Sequence, residues 1–293
     1  MLTIPIRRQF PFIAKQWYFI ALSLCVLAAA GFAMAQQGLN YGVDFRGGIK
    51  LTLRIPTMAS DGDVTAALTQ ADIAASVQHL GQPADHRFLV KLGPSEAEVV
   101  ERVTAALPGA TIEGQEMVGP RVGSELKKKG QAAILFTLLA LLIYIGFRFD
   151  FYFAPGAIVA LLHDVIVTMG FLAWFRREFD LTILAALLTI VGYSINDTII
   201  IYDRIREHAR EITPTTIETV VNRAINDTLA RTIVTSLTVL FVVVILYVTT
   251  QGVIQNFAFA FIVGVISGSY STIFIASPIY IWLYKRFPQW RKN

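Results

Sequence analysis

The sequence predicts an α-helical membrane protein with six transmembrane helices and a small ferredoxin-like α+β domain outside the membrane, between helices 1 and 2. Three observations predict it. Apolar residues make up 55% of the 293 residues and charged residues only 16%, against about 25% charged in soluble domains. Six apolar runs approach or reach the roughly 20 residues that a bilayer core demands. One long polar segment interrupts them, and it reads β-α-β-β-α-β, the ferredoxin-like order.

The first run, 16–35, follows Arg7, Arg8 and Lys15 and ends in "AMA", a pattern shared with cleaved signal peptides. It is longer than the usual apolar stretch of a signal peptide, so we read it as a retained helix, with 1–35 as amino terminus plus helix 1. The polar domain spans 36–129. Its "IKLTLRI" alternates strictly, as a half-buried strand does. Residues 61–71 read as a helix, and "ASVQHL" and "HRFLVKL" as strands about the turn "GQPAD". Ser95 and Glu98 make a capping box that starts a helix to about Leu107. "ATIEGQEMV" is the last strand. His79 and His86 have no carboxylate or Cys at metal-ligand spacing and read as ordinary turn or surface residues. "YGVDFRGG" has paired glycines that permit tight backbone geometry, but it lacks the Lys-Ser or Lys-Thr of a phosphate loop.

The remaining spans are 130–147, 154–175, 181–202, 232–250 and 257–284, within a membrane region 130–284, followed by a short tail, 285–293. Residues 214–225 read as a short surface helix at the inner face. Lys and Arg concentrate in the loops that lie inside if both termini are cytoplasmic; only Arg176 and Arg177 fall in the short outer loops. Lys127, Lys128 and Lys129 oppose the trend, but they follow a long domain that crosses whatever its charge. The net charge of +4 is spread along the ends of apolar runs and forms no basic face, which excludes a nucleic-acid binder. Cys25 is the one cysteine, so no disulfide forms within the chain.

Ionisable residues inside spans are costly and mark function by default. Asp197 lies seven residues before Arg204, roughly 10 Å above the inner charges at 1.5 Å per residue. Arg231 heads span five and reaches up from the inner side. Asp164 lies about 15 Å into span three, near the midplane, beside His163. Tyr193 and Ser194 share a helix face with Asp197, with Asn196 beside it; Thr235 and Thr238 continue the polar stripe from Arg231. Dehydration favours a neutral carboxyl and a nearby guanidinium favours the carboxylate. Movement of Arg231 relative to Asp197 would therefore switch proton affinity, with the proton as the coupling ion. An ion pair that only fixes helix packing is the competing reading. Asp203, Arg204, Arg206 and Glu207 read as a solvated cytoplasmic cluster. Gly264 and Gly268 form a G-xxx-G packing step, backed by Ser267 and Ser271, against a helix of this chain or another. No nucleophile–base pair, metal cluster or nucleotide loop is visible, so neither catalysis nor a metal or organic cofactor is expected.

Long motifs carry a family resemblance over almost the whole chain. They are "GVDFRGG", "VGPRVGSEL", "FAPGAIVALLHDVIVTMG", "LTIVGYSINDTIIIYDRIRE", "NDTLARTIVTSLTVL" and "FAFAFIVGVISGSYSTIFIASP". In this order they resemble the SecD/SecF family of RND-type transporters. Arg46 and Pro155 stand where the family often has other residues. The resemblance implies a half-transporter in the bacterial inner membrane, with 36–129 periplasmic and both termini cytoplasmic. SecD would supply the other half. The pair would use the proton motive force to assist preprotein export beside the SecYEG translocon, with YajC, after ATP-driven translocation by SecA. The intramembrane Asp and Arg of the family map onto Asp197 and Arg231. A proton-coupled exporter of small molecules or lipids, and a non-transporting translocon scaffold, are the other function classes considered.

Overall fold

The computed structural model describes residues 9–58, 60–81, 83–94, 98–149, 151–208 and 211–287. Arg7, Arg8, Arg210, Arg291 and Lys292, which count toward the charge bias, lie outside them, as does Ser95 of the expected capping box.

A 3₁₀ turn, Ile13–Lys15, leads into α1, Gln16–Gln37. The chain then makes a short strand, β1 (Asn40–Tyr41), and one helical turn, α2 (Val43–Arg46). The "GG" that follows turns the backbone sharply, with φ of 80° at Gly47 and 142° at Gly48, a region that glycine tolerates and other residues rarely enter. A Cβ on Gly47 would stand 2.9 Å from Pro120 Cα. The glycine thus seats the start of the second long helix against the turn.

The external domain runs β2 (Gly48–Arg54), α3 (Asp61–Gln70), β3 (Ala75–Leu80), β4 (Arg87–Leu92), α4 (Glu98–Ala106) and β5 (Thr111–Val118). Its sheet is antiparallel in the order β3-β4-β2-β5, as the ferredoxin-like reading requires. Alternate residues of β2 and β4, among them Leu51, Leu53, Phe88 and Val90, bury one face against Val64, Leu68, Val103 and Leu107 of the helical layer. Ser60 and Asp63 cap α3 reciprocally.

Among the described residues, six helices are long and apolar enough to cross a bilayer. After α1 come α5 (Pro120–Arg148), α6 (Phe153–Trp174), α7 (Leu181–Glu207), α8 (Ile217–Thr249) and α9 (Gly252–Ser271). The last span continues through a π-helical turn, Thr272–Ala276, into α10, Ser277–Arg286. Pro278 has no N–H for a carbonyl one turn back, which accounts for the irregular turn before it. Helices α6, α7 and α9 form the buried centre, while α1, α5 and α8 are mostly exposed.

Two helices are longer than their apolar runs. α5 begins at Pro120, because "PRVGSELKKK" contains no breaker and Pro is favoured in a first turn. Lys127 to Lys129 therefore stand on a helix above the membrane, with Lys127 over the Tyr41 ring. α8 begins at Ile217 and runs unbroken into span five, so 214–225 is not a separate surface helix. Its Asn222 and Asn226 accept from the backbone N–H groups of Ile13 and Phe10 and tie the amino-terminal segment to the end of the bundle remote from the external domain.

Between α6 and α7 lies β6 (Glu178–Phe179), which pairs in parallel with β1. The external domain thereby meets the outer end of the buried helices.

Candidate functional site

Asp164 is fully buried at the centre of α6. Ser194 of α7 donates to its Oδ2 at 2.7 Å, Ser271 of α9 donates to Oδ2 at 2.8 Å and Ser267 donates to Oδ1 at 2.6 Å. His163 Nδ1 lies 3.2 Å from Oδ1. One carboxylate thus gathers hydroxyls from two other helices. These helices approach closely because Gly264 and Gly268 face α7: a Cβ on Gly268 would fall 2.9 Å from Ser194 Cβ, and one on Gly264 would overlap Ile190. The small-residue step that the sequence offered has its partner inside this chain.

Asp197 lies one turn further in along α7 and is 1% exposed. Its Oδ2 is buried with no hydrogen-bond partner among the described residues. Asp164 is satisfied; this oxygen of Asp197 is not. A buried polar atom left unpaired is costly. Beside it, Thr198 bonds Thr272 across the π-helical turn at 3.0 Å, so the irregular turn of the last span packs against the Asp197 turn of α7.

Arg231 is exposed and, among the described residues, makes no ion pair with Asp197 within 4.0 Å. It lines a cavity of about 370 Å³, at the end of the bundle remote from the external domain, with Ile199, Ile200, Asp203, Glu207 and Asp227. The cavity reaches up α7 to within two residues of Asp197. At its rim Arg204 holds Asp227 at 2.7 Å and also pairs with Glu207, and Arg148 lies 3.8 Å from Asp203. Of these, Asp203, Arg204 and Glu207 are charges that the sequence places in a cytoplasmic cluster. Of the supporting residues, Tyr193 donates to Ser236 of α8 at 3.4 Å. Thr235 and Thr238 donate to carbonyls of their own helix. Asn196 is exposed.

Four contributors escape a reading of the sequence alone. Ser267 and Ser271 stand at i, i+4 and were read as small packing residues; that both are hydroxyls on one face was the available signal. Asp44, in the middle of "GVDFRGG", accepts from Lys50 Nζ at 2.5 Å and from the backbone N–H of Leu181 at 3.2 Å. With Asp180, which caps Ile183 N at 3.0 Å, it fixes the outer end of the helix that carries Asp197.

Six spans, an external ferredoxin-like domain and carboxylates buried among the central helices define one half of an RND-type transporter. Residues 99–286 match the family described as protein export membrane protein SecD/SecF, C-terminal, and residues 32–55 match the SecD/SecF GG motif. The chain belongs to the SecD/SecF family. It is 42% identical to the protein translocase subunit SecF of Magnetococcus marinus, over 92% of this chain and 91% of that one. It is 34% identical to SecF of Escherichia coli O157:H7, over 93% and 87%. Among solved structures it resembles SecDF of Thermus thermophilus, a translocon-associated membrane protein, with a TM-score of 0.83 and 36% identity. That match covers 97% of this chain and 40% of the SecDF chain.

Proposed function

We propose that the chain is the SecF half of a proton-driven accessory to protein export. With SecD it uses the proton motive force to assist preproteins through the SecYEG translocon, alongside YajC, after SecA-driven translocation. It sits in the bacterial inner membrane, with both termini cytoplasmic and 36–129 periplasmic. The observation that carries this reading is Asp197, a buried carboxyl with an unpaired oxygen next to an inner polar cavity that holds Arg231. A group so placed takes a proton from the inner side or gives one up to it. Approach of Arg231 favours the carboxylate; retreat favours the acid. The arrangement described above is the separated state. Moving one charge through 100 mV is worth about 2.3 kcal/mol, enough to bias a change of conformation.

Pairing with SecD is supported by the face of α7 turned away from the other helices. Ala185, Thr189, Gly192 and Asn196 are exposed there. Small and polar residues suit contact with another helix better than contact with lipid.

The test is Asp197→Asn, placed in cells that lack the wild-type copy. The variant assembles with SecD and reaches normal levels, yet preprotein export falls to that of the deletion. Near-normal export would show that Asp197 carries no proton and would favour the scaffold reading.

A further inference from the structure

We infer that the outer rim binds a phospholipid whose headgroup carries a primary ammonium, with the head in a polar cavity beneath the external domain and one acyl chain in a groove that α1 makes with α6 and then α9. The polar cavity, about 570 Å³, lies between α3 and β3 on one side and the loops before α7 and α9 on the other. Its walls carry both signs of charge. Arg176 and Arg177 stand on the membrane side. Among the described residues Arg176 gives one side-chain hydrogen bond, to Gln37 O, and Arg177 bonds Gln255, Asn256 and Tyr247. A guanidinium has five N–H donors, so donors remain for a phosphate.

The opposite wall has acceptors to spare. Gln78 Oε1 and Asp61 Oδ1 are buried without a hydrogen bond among the described residues. His79 Nδ1 stands 3.5 Å from that Asp61 oxygen, and Gln78 Nε2 is spent on Glu178. The unpaired Gln78 oxygen and the Asp61 carboxylate, opposite two guanidiniums, match a group with N–H donors at one end and a phosphate at the other. A primary ammonium supplies three donors. A trimethylated one supplies none.

What selects a lipid over an extended polypeptide is the continuation of the site. Phe175 lines the polar cavity and also an apolar groove section of about 290 Å³ with Val26, Ala29, Gly170 and Trp174. Val26 and Phe171 then line the next section, about 250 Å³, which runs inward between α1 and α9 to Tyr270. The groove is shaped by a tight contact, since a Cβ on Gly170 would overlap Ala30. Trp174 and Phe175 are exposed at its mouth, where aromatic side chains mark the bilayer interface. A headgroup site that opens into a groove down the bilayer-facing surface has the shape of an amphiphile with a long tail.

The test is native mass spectrometry of the full chain released from vesicles of equal parts phosphatidylethanolamine, phosphatidylcholine and phosphatidylglycerol. The expected result is one retained phosphatidylethanolamine, favoured about tenfold over either competitor. Gln78→Leu with Asp61→Asn abolishes the preference for the primary amine. Ala29→Trp, which fills the groove, abolishes retention of any of the three. Equal retention of the three lipids that neither variant changes would mean annular lipid only and overturns the proposal. So would the absence of retained lipid together with photocrosslinking of a translocating polypeptide from position 78, which would assign the cavity to peptide.

Discussion

Asp164 and Asp197 sit on adjacent buried helices and differ in what surrounds their oxygens. Asp164 accepts from three serines, so it behaves as a hub that joins α6, α7 and α9. Interhelical hydrogen bonds in membranes average about 0.6 kcal/mol each. Asp164→Ala therefore lowers stability by roughly 2 kcal/mol, and Ser267→Ala by about 0.6 kcal/mol. Asp197→Asn leaves stability unchanged, because the amide is a neutral isostere of the acid that the separated state favours. Melting curves of the three variants in one detergent decide the matter; equal losses for Asp164→Ala and Asp197→Asn would erase the distinction. The sequence located both carboxyls by depth, since each stands in an apolar run whose end is marked by charge. It did not separate their roles. The separation depends on Ser194, Ser267 and Ser271, which are far apart in sequence and brought together only by packing. Arg231 shows the same limit: its height along α8 was legible, but its side chain joins the inner cavity instead of Asp197.

At the scale of elements, hydropathy finds the part of a helix that lies in lipid and little more. It placed all six spans. It missed the polar first turns of α5 and α8, where helix continues because nothing in "PRVGSELKKK" or in the residues after Ile217 breaks it. It also missed the π-helical turn, which depends on Pro278 and on the neighbour helix that Thr272 meets. The Gly264–Gly268 step was readable, and its partner was not, because a stripe of small residues names no recipient. The contact with α7 makes a sharp prediction. Gly268→Ala pushes on the Ser194 that donates to Asp164, and overpacking costs about 1–3 kcal/mol. Gly146→Ala is the control: its added Cβ has nothing within 4 Å, and Ala is favoured over Gly in a helix by about 1 kcal/mol. Thermal melting should move down for the first and stay or rise for the second. A Gly268→Ala protein as stable as the parent would mean that α7 and α9 are not in tight contact.

For the whole molecule, the question is how the external domain is held to the membrane helices. Lys91 of β4 lies on the sheet face away from α3 and α4, and strand alternation reads it as solvent-facing. Instead its side chain is 4% exposed and its Nζ lies 2.6 Å from Glu178 Oε2, whose side chain is 10% exposed. Gln78 donates to the same oxygen at 3.1 Å. The membrane region covers the corner of the sheet around Lys91 and Gln78, which no single-domain pattern reveals. Next to this pair, burial pushes the Asp180 carboxyl above its ordinary value. A raised value in the fold means that its contribution is most favourable below the ordinary carboxylate range and weakens as pH rises through the folded value. Asp180→Asn keeps an oxygen for the Ile183 cap, so the variant gains on the parent as pH rises from 4 toward 8. The ion pair itself gives the stronger test. Lys91→Met strands a buried carboxylate, and breaking such a pair costs about 3–5 kcal/mol. Replacing both residues, Lys91→Met with Glu178→Met, removes the stranded charge and returns most of the loss, because desolvation offsets much of the attraction in a buried pair. Hydrogen exchange at the β2–β4 amides and at the outer end of α7 reads both effects. If the junction acts as one unit, protection falls at both places in the single variant and recovers at both in the double. Loss confined to the external domain would show that the domain rides on the helices without bracing the end of the helix that carries Asp197.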